Sequence, residues 1–252
     1  EPMRPTVIVA LLPVLLVACS GSSTDAATEP SAFRYANLEG EDLRNVDLVG
    51  YDLTGATLDH ADLSGADLTG ATLDLASLSG ADLTGARLVG VYAFGADFSG
   101  STISGADFTD ASLREVDLRG TVGTSVVLDG ADLSGSVLDG ALLRGASLLG
   151  TRMVASTARA VDLTGADLTG AVLKGAHVIV GGSTGFLDHE DRGVDMTGAT
   201  VVDATLDRAV LTDAVLVSAD LSGSSLEGAR LDGANLNDAV LVGADLTGVA
   251  LD

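Results

Sequence analysis

The residues whose types could do chemistry gather in one 15-residue stretch, Ile179 to Gly193. Gly181-Gly182-Ser183-Thr184-Gly185 fits G-x-S-x-G, and His189 and Asp191 follow it. Those are the residue types of a nucleophile, its base and an orienting acid. Such a serine acts only on a strand–turn–helix elbow, and nothing of that sort surrounds this one, so no catalysis is expected. Asp188, His189 and Asp191 could ligate a metal, but contiguous ligands on a short segment rarely converge on one ion. No metal and no cofactor is therefore expected. No phosphate-binding loop, dinucleotide fingerprint or calcium loop is present. Cys19 is the only cysteine, which excludes a disulfide and a C-x-x-C pair.

The elements that would have to position these groups are written in a five-residue period. A small residue, mostly Ala, is followed two positions later by Leu or an apolar substitute, as in Ala61-Asp62-Leu63-Ser64-Gly65-Ala66-Asp67-Leu68. The central position falls at residues 38, 43, 48 and onward to 178, 29 positions without a slip. It resumes at Met196 and runs to Leu251 in 12 more. On an α-helix successive centres would sit about 140° apart and form no stripe. On a straight strand an odd period throws them to alternate faces. The chain buries every centre only by bending once per repeat, and the glycine after most Leu-x pairs tolerates φ > 0 at that bend. Repeated bends make a coil, and stacked coils make a solenoid. The period itself leaves open three, four or five bends per coil.

The motif A-(D/N)-L-(S/T)-G, seen at 66–70, 81–85 and 166–170, resembles the pentapeptide repeat family. The resemblance implies an all-β fold, a right-handed quadrilateral parallel β-helix of about ten coils, roughly 50 Å long. It implies that Leu63, Leu68, Leu83, Phe98, Phe108, Leu168, Leu216 and Leu236 point inward. Phe98 and Phe108, two repeats apart, would face each other from opposite walls. Ala93, Gly123 and Ala158 are weak centres. At Ala93 a local slip of register, with Phe94 turning into the core, is the favoured expectation. The alternative is an exposed Tyr92–Phe94 patch. Phe33 and Tyr35 are expected to plug the first coil.

The organisation expected is a signal peptide at 1–18, a lipidated Cys19 and tether at 19–35, a repeat block at 36–178, an inserted loop at 179–193 and a second block at 194–252. Arg4 precedes an apolar run, Val7 to Val17, of 11 residues, too short to span a bilayer. Leu16-Val17-Ala18-Cys19 resembles the bacterial lipobox, which implies a lipid on Cys19 and a chain anchored to the outer face of a bacterial membrane. Residues 20–32 are small and polar, as a tether would be. The second block runs to Leu251-Asp252 with no capping helix, and members of the family dimerise end to end, so a homodimer contact from about residue 231 is expected.

The net charge is −23. With four repeats per coil, Asp42, Asp62 and Asp82 would stack on one face and Asp47 and Asp67 on the next. Three readings stay open: carboxylates bonded locally to backbone N–H groups, a cation-binding surface, and imitation of a nucleic-acid backbone. The last follows from the resemblance, since some family members bind DNA gyrase as rods resembling duplex DNA. Direct binding of nucleic acid is not expected of so acidic a chain. Phe186, Asp188, His189, Glu190, Asp191 and Arg192 sit in an insertion about 13 residues longer than one repeat needs. It reads as a tolerated bulge or as a contact for an unidentified protein partner. Together these features point to a non-enzymatic, envelope-anchored interaction surface.

Overall fold

The computed structural model describes residues 33–173, 176 and 194–250. Each repeat lays one extended residue in parallel against the residue 20 positions on: Asp42 against Asp62, Asp62 against Asp82, Thr102 against Val122. Four repeats therefore close one coil, and about ten coils are stacked. We number the walls from Phe33. The first holds the centres Phe33, Leu53 and Leu73, the second Leu38, Leu58 and Leu78, the third Leu43, Leu63 and Leu83, and the fourth Leu48, Leu68 and Leu88.

Inside, Leu63, Leu68, Leu83, Leu168 and Leu216 are fully buried, with Phe98 and Phe108 among the largest buried side chains. Phe98 on the second wall meets Phe108 on the fourth edge to face, ring centroids 6.0 Å apart at 80°. That geometry contributes about 1 kcal/mol beyond area burial. Gly123 takes a central position without a side chain. Ile103 and Leu143 lean into its space, 3.0 and 2.7 Å from where a Cβ would stand. Of the inward hydroxyls, Thr121, Ser136 and Ser156 donate to the carbonyl three residues back, Thr151 and Ser224 donate to Leu128 O and Val201 O in the coil below, and Ser101 has no partner among the described residues. Leu236 departs from expectation. It is only partly buried, because among the described residues no later coil packs over it.

The corners explain how the chain bends. The residue two after each centre has positive φ, and the N–H of the next residue returns to the central carbonyl, as Ala66 does to Leu63 at 2.9 Å. That is the φ a type II turn requires at its third residue. Among the described residues glycine fills most such corners, but 14 are held by other residues, none of them β-branched. At a left-handed corner the side chain points along the stack, toward the corner 20 residues on. Tyr35 thus lies over Gly55 and His60 over Gly80, each ring 2.6 Å from where a Cβ would be. A large side chain at one corner therefore favours glycine at the corner above it, while the small Ser218 allows Asp238 there.

Two expectations at aromatic residues fail for the same reason. Tyr35 does not plug the first coil. It occupies a corner at φ 56° and is 71% exposed, while Phe33 is buried there, its ring tilted 55° against Tyr51 with centroids 5.5 Å apart. Nor does the register slip at Ala93. Ala93 stays inward and buried, Gly95 keeps its corner φ of 63°, and Phe94 remains outside. A one-residue slip would break the inter-coil bonds of Leu73 to Tyr92 and Ala93 to Ser112, a larger loss than the burial of one ring would recover.

The stack also keeps its register across the insertion. Asp162 pairs with Asp195, Asp167 with Thr200 and Val172 with Thr205, each 33 positions apart, one coil plus 13 residues. From Asp195 the spacing returns to 20.

The corner rule predicts a double-mutant result. Gly70→Ala, with nothing within 4 Å of its Cβ, should cost about 1 kcal/mol for the left-handed conformation alone. Gly80→Ala should cost more, and His60→Ala should return the excess. Urea unfolding of the four variants measures this, and equal costs at Gly70 and Gly80 would refute the stacking constraint.

Candidate functional site: a surface of ordered carboxylates

The outward surface is built around one backbone problem. In the repeat Ala61–Gly65, Ala61 N–H returns to Leu58 O (3.1 Å) and Asp62 N–H reaches down to Glu41 O (2.9 Å). Leu63 N–H reaches up to Asp82 O (2.7 Å) and Gly65 N–H to Thr84 O (2.9 Å). Four of five N–H groups thus meet backbone carbonyls. The fifth, on Ser64, meets a side chain: it donates to Asp62 Oδ1 at 3.0 Å, and the Ser64 hydroxyl donates to the same oxygen at 2.6 Å. An unpaired backbone donor here would cost about 1 kcal/mol or more, so an acceptor beside the centre is selected by folding itself.

All five residues of the expected acidic columns do this. Asp42 accepts from Arg44 N–H (3.3 Å), Asp47 from Val49 (3.3 Å), Asp67 from Thr69 (3.0 Å) and Asp82 from Thr84 (2.9 Å). Asp42, Asp62 and Asp82 stand in one column on the third wall, and Asp47 and Asp67 in one on the fourth. Asn37 and Asn235 accept in the same way at 3.1 Å, so the role belongs to the carbonyl-type oxygen and not to the charge. At Ser77, Tyr92, Ser147 and Thr157, which stand beside their centres where Asp is usual, an aspartate one coil below supplies the acceptor. Asp59 takes Ser79 N–H (3.0 Å), Asp74 takes Phe94 N–H (2.8 Å), Asp129 takes Leu149 N–H (3.0 Å) and Asp139 takes Arg159 N–H (2.9 Å).

Arginines relieve part of the crowding. Arg44 pairs with Asp42 at 2.6 Å and approaches Asp62 at 3.5 Å, linking two rungs of one column. Arg119 pairs with Asp117, and Arg144 reaches across coils to Asp162. Arg87 takes the rung between Asp67 and Asp107. The hydrogen bonds from Arg44 hold Asp42 down at about 2. Burial pushes Asp162 up, but bonds from Thr164 and Arg144 outweigh it and leave the carboxyl below its ordinary value. The hydroxyl and N–H of Ser222 lower Asp220, and those of Thr247 lower Asp245.

The family model for pentapeptide repeats matches overlapping stretches over residues 31–175 and 192–252. The chain belongs to the pentapeptide repeat family. No curated protein sequence matches it. Among solved structures, it is similar to HetL, a pentapeptide repeat protein involved in heterocyst differentiation regulation, from the cyanobacterium Nostoc sp. strain PCC 7120. Identity is 28%, coverage is 89% of this chain and 92% of HetL, and the TM-score is 0.66. A trypsin-treated form of QnrB1, a plasmid-mediated fluoroquinolone resistance protein, aligns over 86% of this chain and 87% of its own, at 19% identity and a TM-score of 0.40. The fold is the right-handed parallel β-helix of these pentapeptide repeat proteins.

Cys19, the G-x-S-x-G stretch and the insertion residues Phe186, Asp188, His189, Glu190, Asp191 and Arg192 lie outside the described residues. The sequence reading missed the second use of aspartate, across coils. Its signal is a spacing of 18 from Asp to Ser, seen in the bonds of Ser77 to Asp59 and Ser147 to Asp129.

Two outcomes follow for this pentapeptide repeat surface. Asp62→Ala should cost about 1 kcal/mol and Asp62→Asn less than half of that, read by urea unfolding. Equal losses would make charge, not the acceptor, the selected property. The lowered carboxyls fix a pH dependence. Their folded values lie below the ordinary 3.8. The stability they contribute is therefore complete above about pH 5 and is lost as pH falls from about 4 toward 2. The thermal midpoint should be flat from pH 7 to 5 and then drop. A midpoint that rises on acidification would contradict the assignment.

Proposed function

We propose that this protein is a non-enzymatic interaction scaffold, exported and anchored by a lipid on Cys19, that presents a rigid acidic β-helix at the bacterial cell envelope. The observation that carries the scaffold reading is the hydrogen-bond accounting. The outward aspartates beside the centres are engaged by backbone N–H groups, as Asp62, Asp67 and Asp82 are, which suits a fixed surface better than acid–base work. The stack holds its register over the whole described chain. A rigid grid of side chains loses little conformational entropy on docking. The address rests on Leu16-Val17-Ala18-Cys19 and the apolar run before it.

A second copy is a further proposed partner, seated on the last coil. Leu236 and Leu241 are partly buried there, and Val242 and Leu246 are exposed. Light scattering at micromolar concentration should give a dimer that Leu246→Lys dissociates, and a monodisperse monomer would remove this contact.

The address is tested by expressing the full chain in a bacterial host with a labelled fatty acid, with Cys19→Ala beside it. Label and membrane association should follow Cys19. A soluble, unlabelled protein would contradict the address and favour the gyrase-binding alternative, for which supercoiling inhibition is the assay.

A further inference from the structure

We propose that the first wall and its corner with the second form a docking face for a protein surface that carries an apolar knob ringed by Lys or Arg. This rests on the reading of the rod as an interaction scaffold. Leu75, Tyr92 and Phe94 form the centre, 65%, 57% and 43% exposed. Tyr92 lies on the first wall, paired between Thr72 and Ser112. Leu75 holds the adjoining corner, donates its N–H to Phe94 O at 2.9 Å, and covers Gly95. Tyr35 stands at the same corner two coils earlier. Among the described residues, the other aromatics, Phe33, Phe98, Phe108 and Tyr51, are buried or partly so. The exposed aromatics therefore share one side of a four-sided rod.

Folding alone does not select this arrangement. Leu75 and Tyr35 adopt φ of 57° and 56°, where most corners use glycine. Asn45, Asp110, Asp203, Asp213, Asp238 and His60 are of the types that tolerate a left-handed conformation; Leu75 and Tyr35 are not, and they differ from the remaining exceptions Glu115, Ser125, Ala155, Ala160, Arg208 and Ser218 in placing a large apolar side chain there in the open. Backbone strain and exposed apolar surface thus coincide, and each is a mark of a functional surface. Aromatic side chains on rigid backbone are the usual energetic centre of an interface.

Charge selects the partner. Asp74 accepts the Phe94 N–H, Asp97 flanks on the second wall, and Asp110 and Glu115 are exposed at neighbouring corners. Among the described residues three cations share this side: Arg114, one coil above Phe94, is joined by Arg119 near Asp97 and by Arg34 over the Tyr35 ring at 5.7 Å, but Arg119 is already paired with Asp117 and Arg34 with Asp52. On a chain of net charge −23 this rim favours a cationic partner and opposes a second copy of the same face.

The test is a random peptide library selected on the immobilised full chain. Selected peptides are then titrated against wild type and Leu75→Gly/Tyr92→Thr/Phe94→Thr. Glycine at 75 relieves the strained corner, so the variant's unfolding midpoint should equal or exceed that of wild type. Enriched peptides should pair an aromatic or aliphatic centre with Lys or Arg, bind the variant about tenfold or more weakly, and weaken as salt rises. Peptides that bind both proteins equally would overturn this face and leave the scaffold reading standing. No enrichment at all would overturn both. Self-association, or binding to phosphatidylcholine vesicles, that depends on the three residues would assign the face to a second copy or to lipid and so overturn the proposal.

Discussion

A positive φ at every fifth residue is the constraint on which this molecule depends. Without it a chain with one apolar centre per five residues would throw successive leucines to opposite sides. With it, every described centre from Leu38 to Leu173 and from Met196 to Leu231 faces one narrow core. The same corner then dictates the neighbouring coil. Its side chain projects along the stack, so Asn45 requires Gly65 and His60 requires Gly80. Glycine is placed by the coil below as much as by its own turn, and the fold is specified by pairs 20 residues apart.

The second dependence is the one backbone donor per repeat that the stack cannot satisfy with a carbonyl. Aspartate beside the centre satisfies it within the coil, and aspartate after the centre satisfies it in the coil above, as Asp62 and Asp59 respectively show. A chain that solves this problem with aspartate in about half of its described repeats becomes acidic as a by-product. The charge then has consequences of its own: the columns repel, Arg44, Arg119 and Arg144 are drawn into them, and the finished surface repels anionic partners.

The period and the inward centres were legible in the sequence, because each repeat states the same local rule and errors do not accumulate; the four-sided coil came from the family resemblance, since the period alone leaves the number of bends open. Phe98 and Phe108 were read correctly as opposite walls, since two repeats is half a coil. Tyr35 and Phe94 were misread because burial was weighed residue by residue. Moving either ring inward would cost the hydrogen bonds of a whole coil. Leu236 fits the motif fully and is still only partly buried, since a centre is covered by the coils around it and not by its own repeat. The inter-coil aspartates were not seen, and of the proposed docking face only the exposed Tyr92–Phe94 patch was raised, as the alternative to a slip, because Asp59 and Ser79, or Leu75 and Phe94, lie 19 or 20 positions apart and become neighbours only through the stacking of coils.

The central claim is that one register of 20 residues runs through the chain, with 13 residues simply added between Val178 and Met196. Deleting residues 179–191 would join Val178 to Arg192-Gly193-Val194-Asp195-Met196, a complete repeat with glycine at its corner. The measurement is the urea unfolding curve of that deletion. The account predicts one transition at the same or a higher midpoint, since a shorter connection lowers the entropy of closure. A lowered midpoint, or a curve that splits into two transitions, would show that the blocks on either side do not share one register.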